Sequence, residues 1–180
     1  MSKKSDLHVA LLRAINVGGR NKLPMADLRA LFEEAGCTDV RTYIQSGNVI
    51  YRAPPRVAKG LAERLGSAIE GRFGFRPPIV TRTAIEMRAA CDHRPYPEVT
   101  ELKTLQIAFL AEEPAAGCVL DPSRAPDDRF ELRGREVYLH YPNGSGRSKL
   151  TNAYLERALG TTSTMRNRRT VAKLVELSSA

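Results

Sequence analysis

An eight-residue phrase occurs twice in this chain, as Asn16-Val17-Gly18-Gly19-Arg20-Asn21-Lys22-Leu23 and as Asn143-Gly144-Ser145-Gly146-Arg147-Ser148-Lys149-Leu150, with five identities in eight. Each copy follows an apolar, strand-like run and leads into a helical pattern. Glycines let backbone N–H groups approach a ligand closely, and a helix start carries about half a positive charge. With an Arg and a Lys added, such a segment can cradle an anion. The first copy offers Arg13, Asn16, Gly18, Gly19, Arg20 and Lys22 for this chemistry; the second offers Asn143, Gly146, Arg147, Ser148 and Lys149. The plainer reading is a chain reversal with its basic side chains in water. The second copy has the composition of a P-loop, but the G-x-x-x-x-G-K-[ST] spacing is not met, which excludes a nucleotide triphosphatase of that kind.

A third group of anion-binding candidates is Arg166, Asn167 and Arg169. Val171, Leu174 and Val175 repeat at helical spacing and predict a helix over 165–177, capped by Ser163 or Thr164. Arg166, Arg168 and Arg169 then crowd its first turns, where cations oppose the helix dipole. An anion gathered by this cluster together with Arg147 and Lys149 would resolve the conflict. Segment 143–173 holds seven basic residues and one acid, Glu156. His140, two residues before Pro142, is a candidate acid or base without an evident carboxylate partner. Ser46-Gly47-Asn48 reads as hairpin chemistry, Cys91-Asp92-His93 is too sparse for zinc, and no cysteine has a setting that would make it a nucleophile. No metal and no cofactor is expected.

The formal charge of +8 is concentrated in residues 1–90, with 15 Lys/Arg against 8 Asp/Glu. A basic surface attracts phosphate or nucleic acid, although a chain in which Arg far outnumbers Lys can be basic without such a role. An apolar fraction of 42% and a charged fraction of 27% are those of an ordinary globular protein. Three separated cysteines argue against a disulfide framework and for a reducing, cytoplasmic compartment. Lys3 and Lys4 precede an apolar run, but Arg13 interrupts it early and no small-residue cleavage site follows, so neither signal peptide nor membrane span is expected.

The elements that must position these residues follow an order. Leu7–Arg13 is apolar on both faces, as a central strand covered on both sides would be. A helix follows Pro24 and ends at Gly36. Val40–Gln45 and Asn48–Arg52 form a hairpin across Ser46-Gly47, Pro55–Phe73 is a second helix, and Pro78–Arg82 a fourth strand. This is the split βαβ, ferredoxin-like order. Thr83–Ala90 connects by a helix to a proline-bearing linker at 93–100. The pattern then partly repeats: a strand at Thr104–Leu110, a weak helix or turn at Pro114–Leu120, a hairpin of Arg129–Leu132 with Glu136–Tyr141, and a helix at Leu150–Leu159. The expected fold class is therefore α+β, with two related ferredoxin-like halves, the second incomplete, lacking its closing strand and ending in helices. The expected division is 1–83, a connecting 84–103, and 104–180. Taking the first and third strands of each half as parallel neighbours puts both glycine loops at one kind of sheet end, where open α/β sheets bind ligands.

Four stretches, Leu11–Lys22 (LLRAINVGGRNK), Tyr43–Ile50 (YIQSGNVI), Tyr141–Thr151 (YPNGSGRSKLT) and Thr164–Val171 (TMRNRRTV), together resemble the domain-of-unknown-function family 1697, widespread in bacteria. The resemblance implies a single-chain α+β protein and no particular activity. The chain departs from the family pattern at Ala14, where Gly is expected, and at Arg168, where an aromatic is expected.

Three function classes stay open on these residues. The first is a non-catalytic binder of a phosphate-bearing ligand, either nucleic acid or nucleotide. The second is an enzyme acting on a small anionic, phosphorylated metabolite through His140 or Ser148. The third is a module whose arginines meet an acidic protein surface. Base-stacking RNA recognition is disfavoured, because Leu7–Arg13 carries no Phe, Tyr or Trp, the third strand offers only Tyr51, and the usual strand signature is absent.

Overall fold

The structure, a computed structural model, describes residues 6–179; Lys3 and Lys4 lie outside the described residues. The chain divides into one unit of residues 1–88 with 174–180 and another of residues 89–173.

The first unit holds β1 (Asp6–Leu12), α1 (Met25–Glu34), β2 (Thr38–Tyr43), β3 (Asn48–Ala53), α2 (Pro55–Ala58), α3 (Leu61–Phe73) and β4 (Ile79–Thr83). The sheet order is β2-β3-β1-β4, antiparallel throughout. β1 is central, and Val9, Ala10, Leu11 and Leu12 are all fully buried, on both faces of the strand. Alternate residues Ala10, Leu12, Val49, Tyr51 and Ile79 pack against Leu28, Leu31 and Phe32 of α1 and Leu61, Leu65 and Ile69 of α3. Each large side chain so buried contributes about 1.5–3 kcal/mol. The predicted single helix over 55–73 is two helices, because Gly60 sits at φ +67 and resets the chain before α3. The turn between β2 and β3 spans 44–47 rather than Ser46-Gly47 alone.

The second unit holds β5 (Leu105–Leu110), β6 (Arg129–Arg133), β7 (Glu136–His140), α5 (Asn152–Leu159) and β8 (Ser163–Asn167). Its sheet repeats the order, as β6-β7-β5-β8. Two helices run from one unit into the other: α4 (Ala84–Asp92) follows β4, and α6 (Arg168–Leu177) follows β8. The core of the second unit joins Ala108, Leu110, Val137, Leu139 and Tyr141 to Leu150, Leu155 and Leu159.

Three expectations need correction. The second half does have its closing strand: β8 pairs with β5 from Leu110↔Ser163 to Gln106↔Asn167. The helical spacing of Val171, Leu174 and Val175 holds only from Arg168 onward, and Asn167, not Ser163 or Thr164, caps α6 by accepting the Thr170 N–H at 2.8 Å. What the second half lacks is its first crossover helix. Residues 111–128 carry only a 3₁₀ turn at Pro122–Arg124, in a stretch punctuated by Pro114, Gly117, Pro122 and Pro126. Finally, the first and third strands of each half are antiparallel. The loops leaving β1 and β7 therefore open at opposite ends of equivalent sheets.

The repeat extends to side chains. Arg82 of β4 faces Val9 across the sheet, and Arg166 of β8 faces Ile107. Each donates through Nη1 to the carbonyl of the residue before it, at 2.9 Å in both cases. Each fourth strand then runs directly into a side-chain-capped helix, by Thr83 with Glu86 in a capping box and by Asn167 at α6.

Candidate functional site

The first glycine loop is a small hairpin. Val17 and Arg20 form an isolated bridge, with Gly18 and Gly19 between them at φ +56 and +75, as a tight primed turn requires. Asn16 braces it from within. Its Nδ2 donates to the carbonyls of Leu23 (2.9 Å) and Gln45 (3.2 Å), and its Oδ1 accepts the Leu23 N–H at 2.8 Å. Asn21 Nδ2 donates to the Ala14 carbonyl. The backbone N–H groups of Asn16 and Arg20 are also spent inside the loop. Arg20 and Lys22 are exposed and Arg13 is half-buried.

This loop locks onto the turn at 44–47. The Leu12 N–H donates to the Gly47 carbonyl at 2.8 Å, and a Cβ added at Gly47 would lie 2.8 Å from Leu12 Cβ. Asn48 is fully buried and donates to Tyr43 O and Ser46 Oγ. Stretches 11–22 and 43–50, separate in sequence, are thus one packed corner at the end of β1. Four of the five non-glycine residues at positive φ fall here: Ala14, Asn16, Asn21 and Ile44. The left-handed backbone at Ala14, φ +61, is the physical reason that a glycine suits that position.

The second loop is built differently. Gly144 turns the chain at φ +83 into a 3₁₀ turn at Ser145–Arg147. Ser148 Oγ accepts the Leu150 N–H at 2.9 Å, and Thr151 caps α5. The buried Tyr141 hydroxyl donates to the Leu150 carbonyl at 2.8 Å, tying the loop's two ends together. Asn143, Arg147, Ser148 and Lys149 line an open cleft of about 310 Å3, with Gly144. The opposite wall is the segment preceding β6: Arg124, Ala125, Pro126, Asp127 and Asp128.

That wall was not singled out in the sequence, although it immediately precedes the predicted hairpin strand that starts at Arg129. In an antiparallel pair the residues before one strand lie beside those after the other, and Arg129 pairs with His140. Arg124 is fixed there by stacking 4.4 Å over the Tyr154 ring and by donating to the Lys149 carbonyl at 3.2 Å. Arg147 and Lys149 are exposed and make no side-chain hydrogen bond or ion pair among the described residues.

Gly146 and the C-terminal candidates stand outside the lining of this cleft. Asn167 is spent as the α6 cap and Arg169 is exposed. Arg166 is a strand residue whose guanidinium burial lowers to about 10. Arg168, placed in the sequence among dipole-opposing cations, turns away from its own helix start. Its Nη1 donates to the His93 carbonyl at 3.2 Å and its Nη2 to the Cys91 carbonyl, at the C-terminal end of α4. A cation there favours the dipole, so most of the conflict read from the sequence disappears.

His140 is also outside the cleft lining. Its Nδ1 accepts from Arg129 Nε (3.3 Å) and faces Arg129 Nη2 at 3.1 Å. Burial first, and then the Arg129 charge, hold its pKa below the ordinary 6.5. A neutral ring with one nitrogen committed to a guanidinium is poorly placed to act as a base on a ligand in that cleft.

Cys37 is buried, Cys91 and Cys118 are half-buried, and all three are free thiols. Among the described residues no group of three His, Cys, Asp or Glu side chains is placed to hold a metal ion. No helix among them is long and apolar enough to cross a membrane.

No curated protein matches the chain significantly. Among solved structures, a conserved bacterial protein from Streptococcus pneumoniae is similar at 20% identity with a TM-score of 0.72, covering 97% of this chain and 99% of that one. At that identity the likeness concerns the fold, and it extends over both four-stranded sheets. The family profile described as "Protein of unknown function (DUF1697)" matches residues 6–138, which includes the first-loop corner and stops short of the second loop. On that match, which covers well over half its length, the chain belongs to the DUF1697 family.

Proposed function

We propose that the protein is a non-catalytic binder of a phosphate-bearing ligand, a nucleic acid or a nucleotide, and that the cleft beside the second glycine loop is where the phosphate sits. The observation that carries this reading is the gathering of Arg124, Arg147 and Lys149 with the amide of Asn143 and the hydroxyl of Ser148 around one open cavity. Guanidinium and ammonium groups supply charge-assisted hydrogen bonds to phosphate oxygens. Arg124 is held in advance by Tyr154, so less side-chain freedom is lost when it binds. The first loop has its Asn16 and Asn21 side chains committed to its own fold, and its role in this reading is to shape the end of the first sheet.

The test is retention of a short single-stranded oligonucleotide, and of a nucleoside monophosphate, by wild type and by an Arg147→Ala, Lys149→Ala double variant. Wild type should bind at low salt and weaken steeply as salt rises. The double variant should lose about tenfold or more in affinity, the equivalent of about 1.4 kcal/mol. Wild type that binds neither probe in low salt would end the reading.

A further inference from the structure

The cleft is not uniformly basic. Its loop wall carries Arg147 and Lys149, while its other wall carries Asp127 and Asp128 as well as Arg124. Among the described residues neither of these carboxylates makes a side-chain hydrogen bond or an ion pair. Asp121, six residues earlier, shows the alternative: its Oδ1 accepts both the N–H (2.9 Å) and the hydroxyl (2.7 Å) of Ser123, which spends it locally. The cleft thus presents open cations on one wall and open acceptors on the other, and the two sets do not pair with one another.

Resting on the reading of this cleft as a phosphate site, we infer that its ligand is a small phosphate ester of a polyol, with the phosphate on Arg147 and Lys149 and hydroxyl groups donated to Asp127 and Asp128. A carboxylate is an acceptor-only group and recognises hydroxyls, as acidic residues do with ribose in nucleotide sites. Inorganic phosphate can offer those carboxylates only its own P–OH, and only by bringing its negative charge directly against theirs. A nucleic-acid backbone meets the same repulsion at every phosphate it brings near. The volume, about 310 Å3, is at the lower end of the range for small-molecule pockets, roughly 300–1,000 Å3. Both sugar phosphates and nucleoside monophosphates carry the required chemistry.

Calorimetric titration with inorganic phosphate, ribose 5-phosphate, adenosine monophosphate and a short single-stranded DNA tests this, on wild type, Asp127→Asn/Asp128→Asn and Arg147→Ala/Lys149→Ala. Both pairs of positions are on the surface, and melting curves check that each variant folds. Wild type should bind the two hydroxyl-bearing probes about tenfold more tightly than inorganic phosphate, a margin of one good charge-assisted contact. The Asp→Asn pair should erase that margin while inorganic phosphate binds as well or better. Tighter binding of the nucleotide than of ribose 5-phosphate identifies a nucleoside source; equal or weaker binding identifies a sugar phosphate. If removing the carboxylates tightens every probe alike, or if DNA binds most tightly and ignores them, the inference is overturned while the phosphate site stands. If phosphate binding is indifferent to Arg147 and Lys149, the underlying site itself is lost.

Discussion

The two glycine loops share five residues in eight and are put to different uses. Both end on a buried leucine two residues ahead of a helix, Leu23 before α1 and Leu150 before α5. In both, the leucine N–H is held by a loop side chain, Asn16 in the first and Ser148 in the second. Beyond that anchor they diverge. The first copy leaves the first strand of its sheet and folds onto a hairpin turn, so its two asparagine side chains are consumed while Arg20 and Lys22 stay exposed. The second leaves the third strand of its sheet, beside the segment that stands where a crossover helix would be, so its cations face a cavity. The shared glycine shows the divergence: Gly19 needs φ +75, whereas Gly146 does not lie in the left-handed region. Likeness of letters followed the anchor, and use followed the neighbours.

The comparison breaks most sharply at the glycines. Gly47→Ala should destabilise the first unit by about 2–4 kcal/mol, because the added methyl meets Leu12 Cβ and carbonyl within 3 Å at φ +85. Gly146→Ala, with nothing within 4 Å of the added Cβ, should change stability by under about 0.5 kcal/mol; urea unfolding measures both. If the two cost the same, the first loop is not the packed corner described.

Asn16→Ala should follow at about 1–3 kcal/mol, since it strips three hydrogen bonds from the loop. Ser148→Ala removes one accepted bond and should cost about 0.5–1.5 kcal/mol. Equal losses in thermal melts would erase the distinction between brace and rim.

Ala14→Gly should stabilise by about 0.5 kcal/mol, the left-handed strain relieved at φ +61 less the entropy of a freer unfolded chain. A denaturation midpoint that falls instead would mean that the methyl makes a contact worth more than the strain.

The smallest effect is on pH. His8, half-buried and stacked 5.3 Å from Tyr51, and His140 both have pKa values held below 6.5, chiefly by burial. A depressed histidine pKa favours the neutral form in the fold. Its contribution is therefore complete above the unfolded value near 6.5 and is lost as pH falls through the lower folded value. Proton NMR of the imidazoles should give both midpoints below 6.5; a midpoint above it for either ring would contradict the environments described.

The sequence by itself determined the α+β class, the order of strands along the first half, the central position of β1 and the presence of two hairpins. It could do so because alternation, apolar runs and turn residues act over a few neighbouring positions. It also marked four of the cleft residues, Asn143, Arg147, Ser148 and Lys149, by composition alone. What the tertiary structure decided depends on partners distant in the chain. Ser163–Asn167 is too short to announce itself beside a strongly helical continuation, and it becomes a strand because the edge of β5 is there to pair with it. Arg168 reads as a misplaced cation until the carbonyls of Cys91 and His93 come within its reach. The acids opposite the second loop carry no local signal, and only the antiparallel pairing of β6 with β7 sets Asp127 and Asp128 across from Arg147 and Lys149. Local patterns fix elements because the forces behind them are local, and a cleft is made of residues that meet only when the sheet has formed.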